Sequence, residues 1–244
     1  MDQFSRSALL IGREGIEKLS RARVALFGVG GVGGYVAEAL ARSGIGSIDL
    51  FDPDIVNLTN LNRQIVALHS TLGQPKAETL ARRLKDINPS IKVTAHPLFY
   101  LPENADQVDL SAFDYIADAI DTVTAKLDLI ERAYHLGVPM ISAMGAGNRL
   151  DPSQVRVGDI FETKDCPLAR IMRKELRKRG IPSLRVAYST EPALSPLPEE
   201  AAALQAETPA SDAPRRDTPG SMMFVPAAMG LIMAAAIVRD LAQI

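Results

Sequence analysis

The run Gly28-Val-Gly30-Gly31-Val-Gly33 constrains this chain more than any other stretch, because it joins an apolar segment at 23–28 to an amphipathic one at 31–43. A continuous apolar run suits a strand buried on both faces of a parallel sheet, and apolar residues at three- and four-residue spacing suit a helix. Glycines at that junction let the backbone turn tightly and bring N–H groups to the positive end of the helix, where a phosphate is held. Residues 47–51 read as the next strand, running into Asp52-Pro-Asp54. A carboxylate there accepts from ribose hydroxyls, so the pair points to a nucleotide with its phosphates at the glycines. Asn60, Asn62 and Arg63, just beyond, are groups that a dinucleotide site does not need.

The same periodicities continue along the chain. Residues 76–87 read as a helix stopped by Asn88-Pro89, 91–96 as a strand, and 113–120 as a buried strand running into Asp121. Asp121 thereby falls at the same sheet edge as Gly28 and Asp52. Residues 124–136 read as a helix, 138–143 as a strand, and 155–161 as a more alternating strand suited to an antiparallel edge. The expected fold is α/β: a doubly wound, mostly parallel, Rossmann-like sheet with a mixed or antiparallel C-terminal extension. Three parts are expected: a nucleotide-binding domain with a basic helix over 1–191, a Pro/Ala-rich loop or linker over 192–220, and an apolar helix packing on the same domain over 221–244. The middle part carries Pro192, Pro196, Pro198, Pro209, Pro214 and Pro219 and no sustained apolar period, so it buries too little to offset its ordering entropy, with an active-site lid as the functional alternative to a loop or linker. Residues 222–238 are nearly all apolar but short for a bilayer span, which favours a helix closing the core over an integral span, with peripheral membrane association as the alternative.

A chain of 244 residues with 47% apolar content can bury a sizeable core. Its net charge of −2 gives no global attraction to nucleic acid, so such binding needs a local patch. Cys166 is the only cysteine, which excludes an internal disulfide and a four-cysteine zinc site. The polar amino terminus lacks an apolar leader, and a cytoplasmic location is expected. His69, His96 and His135 lie in different elements without ligand spacing and read as structural or exposed.

The order of Phe4-Ser-Arg6, Ile11-Gly12-Arg13-Glu14-Gly15, the glycine loop, Asn60-Leu-Asn62-Arg63-Gln64, Lys76-Ala77 and Asp121 resembles the ATP-binding domain of the ThiF/MoeB/ubiquitin-activating-enzyme-like superfamily. Asp165-Cys166-Pro167-Leu168-Ala169, Tyr188-Ser189-Thr190-Glu191, Gly220-Ser221 and Phe224-Val225-Pro226-Ala227 are similar to its tRNA threonylcarbamoyladenosine dehydratase branch. The resemblance implies ATP and Mg2+ as cofactors, tRNA as substrate and a homodimer. By the same resemblance, Gly28, Gly30, Gly31 and Gly33 line the nucleotide, Asp52 binds its ribose, Asn60, Arg63 and Lys76 serve its phosphates, and Asp121 binds the metal. Arg6 is implied to reach the triphosphate of a neighbouring subunit; read alone, it is an ordinary surface charge.

Fixed cations suit a triphosphate better than a hydride carrier. A carboxylate that attacks the α-phosphate approaches as one anion to another, and pyrophosphate leaves with more charge, so cations aimed at the phosphates stabilise the transition state. The alternative within the superfamily is an adenylyltransferase for a ubiquitin-like sulfur carrier, against which the lack of paired Cys-x-x-Cys motifs weighs; docking of a sulfur-transfer protein stays open. A non-catalytic scaffold is a third reading, opposed by the intact Arg63, Lys76 and Asp121.

Arg170, Arg173, Lys174, Arg177, Lys178 and Arg179 fall at helical spacing opposite Leu168, Ile171, Met172 and Leu176, which reads either as a solvated face or as a contact for the tRNA backbone. Cys166 is either a nucleophilic thiol or a small buried residue. Asp54 is either a turn cap or a ligand contact, and Lys126 is expected to face solvent rather than to hold a carboxylate. Residues 188–191 end a strand, with their role open.

Overall fold

A computed structural model describes residues 2–207 and 219–244. Its strands are β1 (Arg23–Phe27), β2 (Ser47–Phe51), β3 (Lys92–His96), β4 (Tyr115–Asp118), β5 (Met140–Ala143), β6 (Val155–Asp159) and β7 (Arg185–Ser189). They form one sheet in the order β3-β2-β1-β4-β5-β7-β6. All neighbours pair in parallel except β6 with β7, the antiparallel edge expected from the alternation after Val155.

Helices α1 (Ser5–Arg21), α2 (Gly33–Ser43), α3 (Lys76–Ile87) and α7 (Phe224–Ala242) supply one apolar layer, packed on Val24, Leu26, Ile48 and Leu50. The alternate residues of β1, Ala25 and Phe27, turn to the other face, where α4 (Val123–Leu136) and α5 (Pro167–Lys178) lie. A strand buried on both sides must be apolar at every position, which is why β1 reads as an unbroken run.

In α7 the buried side chains Val225, Met229, Met233 and Ile237 recur every four residues, and Phe224 and Leu231 on the other side are half exposed. Its length and composition would pass for a membrane span, yet its inward stripe fills the core beside α2, as expected of a closing helix. Gly230 makes that packing close: a Cβ there would stand 2.4 Å from the Val32 carbonyl oxygen.

Part of the segment read as a loop over 192–220 is helical. Pro198–Glu207 forms a helix, α6, that starts on Pro198 and carries Glu199 and Glu200 in its first turn. Proline at the first position, early carboxylates and a run of alanines favour a helix locally, although no apolar stripe announces it. Pro209 and Pro214 lie outside the described residues.

Candidate active site

The glycine turn sits at the carboxyl end of β1, where open α/β sheets bind ligands. Gly33 is required there by contact, since a Cβ on it would stand 1.8 Å from the Gly28 carbonyl oxygen. Asp52, at the end of the neighbouring strand, braces the turn: its Oδ2 accepts from the Val29 N–H at 2.6 Å and its Oδ1 from the Asp54 N–H at 2.9 Å. Burial pushes this carboxyl above the usual range, against those two N–H bonds and nearby Lys76.

A cavity of about 690 Å³ opens over the turn. Gly28, Gly30, Gly31, Asp52, Asn60, Arg63, Lys76 and Asp121 all line it, whereas Gly33 lies beneath in the helix start. Among the described residues, Arg63 pairs with no carboxylate. Its Nη1 donates to the Thr59 carbonyl at 2.8 Å and the Asn62 Oδ1 at 3.0 Å, and burial lowers its pKa. Lys76 opens α3, where the helix dipole disfavours a cation. Its side chain is 6% exposed and its Nζ is held by Asp54 Oδ2 at 2.8 Å, so Asp54 serves as the lysine's partner at the cavity rim. Asp121 is exposed, and among the described residues its side chain bonds only with the Thr122 hydroxyl, at 3.4 Å.

Several further expectations are corrected. Lys126 does not face solvent: it is fully buried, with Nζ 2.9 Å from Asp118 Oδ2. In the basic helix, Ile171 is 47% exposed rather than inward, Arg173 donates to the Thr163 carbonyl, and Lys178 pairs with Glu175. Arg177 lies over the Phe161 ring, 5.0 Å from its centroid. Arg170 and Lys174 remain exposed, without an ion pair among the described residues. None of these cations lines the cavity, and neither does Arg6, which is exposed on α1.

Cys166 is buried, and its Sγ accepts from the Ala169 N–H at 3.5 Å as the cap of α5. It does not line the cavity. His96 stacks on Phe51 at 4.4 Å and pairs with Asp49, a structural role. Among the described residues no group of three His, Cys, Asp or Glu side chains is placed to hold a metal. The Glu191 carboxylate, after β7, accepts from the Leu150 and Asp151 N–H groups and so fixes the loop after Ala146 and Gly147 of the cavity wall.

Sequence reading missed two further walls. Leu98, Phe99 and Tyr100 follow β3 at the ligand-binding edge, and the edge rule that found Asp52 and Asp121 reaches them as well. Pro219 and Ser221 lie outside that rule: the sequence marks them only through the lid alternative and the Gly220-Ser221 resemblance, with no place in the site assigned. They come from the far end of the Pro/Ala-rich segment, docked where Asn62 Nδ2 donates to the Ser221 carbonyl at 2.8 Å and the Asn148 N–H to that of Gly220 at 2.7 Å.

Comparison with known proteins identifies the family. The tRNA threonylcarbamoyladenosine dehydratase of Bacillus subtilis is 42% identical over 242 residues, which cover 99% of this chain and 95% of that protein. The structure of the Escherichia coli tRNA N6-threonylcarbamoyladenosine dehydratase, TcdA, in complex with ATP superposes with a TM-score of 0.85 at 32% identity, over 99% of this chain and 94% of that one. A sulfur carrier protein adenylyltransferase of Thermus thermophilus is 34% identical over 143 residues, 58% of this chain and 52% of that protein. The ThiF family model matches residues 4–244, so nearly the whole chain, from α1 to the end of the core-closing helix, belongs to the ThiF family.

Proposed function

We propose that this protein is an ATP-dependent tRNA threonylcarbamoyladenosine dehydratase. The observation that carries the reading is the convergence of the glycine turn, Arg63, Lys76 and Asp121 on one cavity, in a chain that matches dehydratases over nearly its full length. The Thermus thermophilus sulfur carrier protein adenylyltransferase matches 58% of it.

The substrate's threonyl carboxylate attacks the α-phosphorus of ATP; a carboxylate oxygen–phosphorus bond forms and the bond to the departing pyrophosphate breaks. Arg63 and Lys76 face the growing charge, and the glycine turn presents backbone N–H groups to the phosphates. Asp52 keeps a second lone pair on each oxygen, enough to accept from ribose hydroxyls while bracing the turn. Asn60 completes the polar wall. In the second step a nucleophile of the same modified nucleoside attacks the activated carbonyl, AMP leaves with the carboxylate oxygen, and the nucleophile's proton is lost, which closes a ring with net loss of water. Tethering of the two reacting groups removes the need for an enzyme thiolate, in keeping with a buried Cys166 outside the cavity.

Asp121 offers a hard oxygen at the cavity with no ion pair among the described residues, a fit for Mg2+, which takes one or two carboxylates and fills its remaining positions with phosphate and water oxygens. The ion supplies charge neutralisation at the triphosphate. A homodimer in which Arg6 reaches the partner's cavity is supported by Leu9 and Leu10, 85% and 86% exposed beside it on α1. Sedimentation as a monomer at working concentration would remove that part of the reading. A cytoplasmic location is part of the same reading and is in keeping with a tRNA substrate.

Incubation with ATP and tRNA bearing the linear modification is expected to yield the cyclic nucleoside by mass spectrometry, with AMP and pyrophosphate in equal amounts. ATP–pyrophosphate exchange driven by a sulfur-carrier protein and not by the tRNA would overturn the assignment.

Arg170 and Lys174, one helical turn apart and exposed, are the proposed contacts to the tRNA backbone, with Arg177 beside them and Arg173 and Lys178 held to the protein. Reversing both, Arg170→Glu with Lys174→Glu, is expected to weaken tRNA binding about tenfold or more and to flatten its salt dependence, while ATP binding stays unchanged. Filter binding across a salt series checks this; an unaltered salt slope removes α5 from the interface.

A further inference from the structure

The buried pair Lys126 and Asp118 takes no part in the chemistry above, yet it brackets the residue that binds the metal in the proposed mechanism. Asp118 ends β4 and Lys126 lies in the opening turns of α4; Asp121 sits between them in the connection 119–122. Lys126, Asp118 and Ser142 are all 0% exposed. Asp118 Oδ2 accepts from Lys126 Nζ at 2.9 Å and from the Ser142 hydroxyl at 2.6 Å, and its Oδ1 accepts from the Ile120 N–H at 3.0 Å. Ser142 belongs to β5 and stands opposite Asp118 in the sheet register. One carboxylate therefore ties the connection to the neighbouring strand, to the following helix and to its own backbone.

Stability alone gives a poor account of this arrangement. Taking two charges out of water is costly, and apolar residues of similar volume in place of a buried pair are often neutral or stabilising. Among the described residues Asp121 itself has only a long bond to its neighbour Thr122, so its placement comes from the backbone that carries it. Outer groups that orient a metal ligand commonly change metal affinity ten- to a hundredfold when removed.

We propose that Lys126, with Asp118 and Ser142, is a positioning group that holds Asp121 where it completes the Mg2+ site at the triphosphate. The inference rests on the assignment of Asp121 to the metal. It predicts that the network matters to Mg2+-dependent binding and not to the nucleoside half of the site.

The test is calorimetric titration of the full chain with ATP, with and without Mg2+, and with AMP. Four proteins are compared: wild type, Asp121→Asn, the charge-neutral double variant Asp118→Asn with Lys126→Gln, and Ser142→Ala. The double variant is expected to lose about tenfold of the Mg2+-dependent gain in ATP affinity while binding AMP within about twofold of wild type. Ser142→Ala, a small truncation that keeps the ion pair, is expected to show a lesser loss of the same kind, so the test survives if the double variant fails to fold. Amide hydrogen exchange over 119–122 is expected to quicken in both. If Asp121→Asn loses the Mg2+ response and the network variants keep it, the positioning role is overturned and the metal assignment stands. If Asp121→Asn keeps the response, both fall. Equal losses for AMP and Mg-ATP would mark the network as purely structural and overturn the proposal as well.

Discussion

Arg63→Ala is expected to lower ATP–pyrophosphate exchange by about a hundred- to a thousandfold, the usual effect of removing a preorganised donor aimed at transition-state charge. The guanidinium is held in place by two neutral oxygens, of Thr59 and Asn62, and it has no carboxylate partner among the described residues. A half-buried cation in that state has its charge free for an incoming anion, which is also why burial alone shifts its pKa downward. Because charge on the phosphates grows as pyrophosphate leaves, kcat is expected to fall more than KM for ATP rises. Arg63→Lys is expected to recover only part of the loss, since the lysine point charge does not reproduce the planar fork. Exchange within about twofold of wild type for Arg63→Ala would remove Arg63 from the catalytic machinery.

Gly33→Ala is expected to destabilise the protein by about 3 kcal/mol or more and to abolish measurable nucleotide binding. One methyl group produces this because it would lie 1.8 Å from the Gly28 carbonyl oxygen, backbone against backbone, with no flexible side chain to move aside. The turn would have to open. It would then draw the Val29 N–H from Asp52 and displace the N–H groups that face the phosphates. Denaturant unfolding together with ATP titration checks both effects. A variant of wild-type stability with intact binding would show that the close passage at Gly33 is dispensable.

Much of the site was legible before any coordinates because its parts follow from local rules. A glycine turn between strand and helix, a carboxylate just after β2 and another in the connection after β4, which ends at Asp118 rather than at 120, fall at one sheet edge by the topology of parallel strands, and Gly28, Asp52 and Asp121 line one cavity. The exchange of sides at Val155, from buried run to alternation, announced the antiparallel strand β6. The helix α6 was missed for a related reason: periodicity reports packing, and this helix rests on alanine propensity and its proline start instead. The sequence neighbours of Cys166 fit two chemistries, and burial outside the cavity supports the inert one.

From the order of its residues alone, the chain settled its turns and its sheet. Those depend on backbone sterics and on which faces must be apolar, properties that each short segment carries with it. Tertiary structure decided the destination of the long polar side chains. Lys126 folds inward to Asp118 and Arg173 turns to Thr163, while Arg170 and Lys174 stay in water. It also decided that Pro219 and Ser221 return from a distant segment to wall the cavity. A lysine or arginine stem spans several ångströms and its charge accepts any partner within reach. Its environment is therefore set by what other elements bring alongside, which no local pattern encodes.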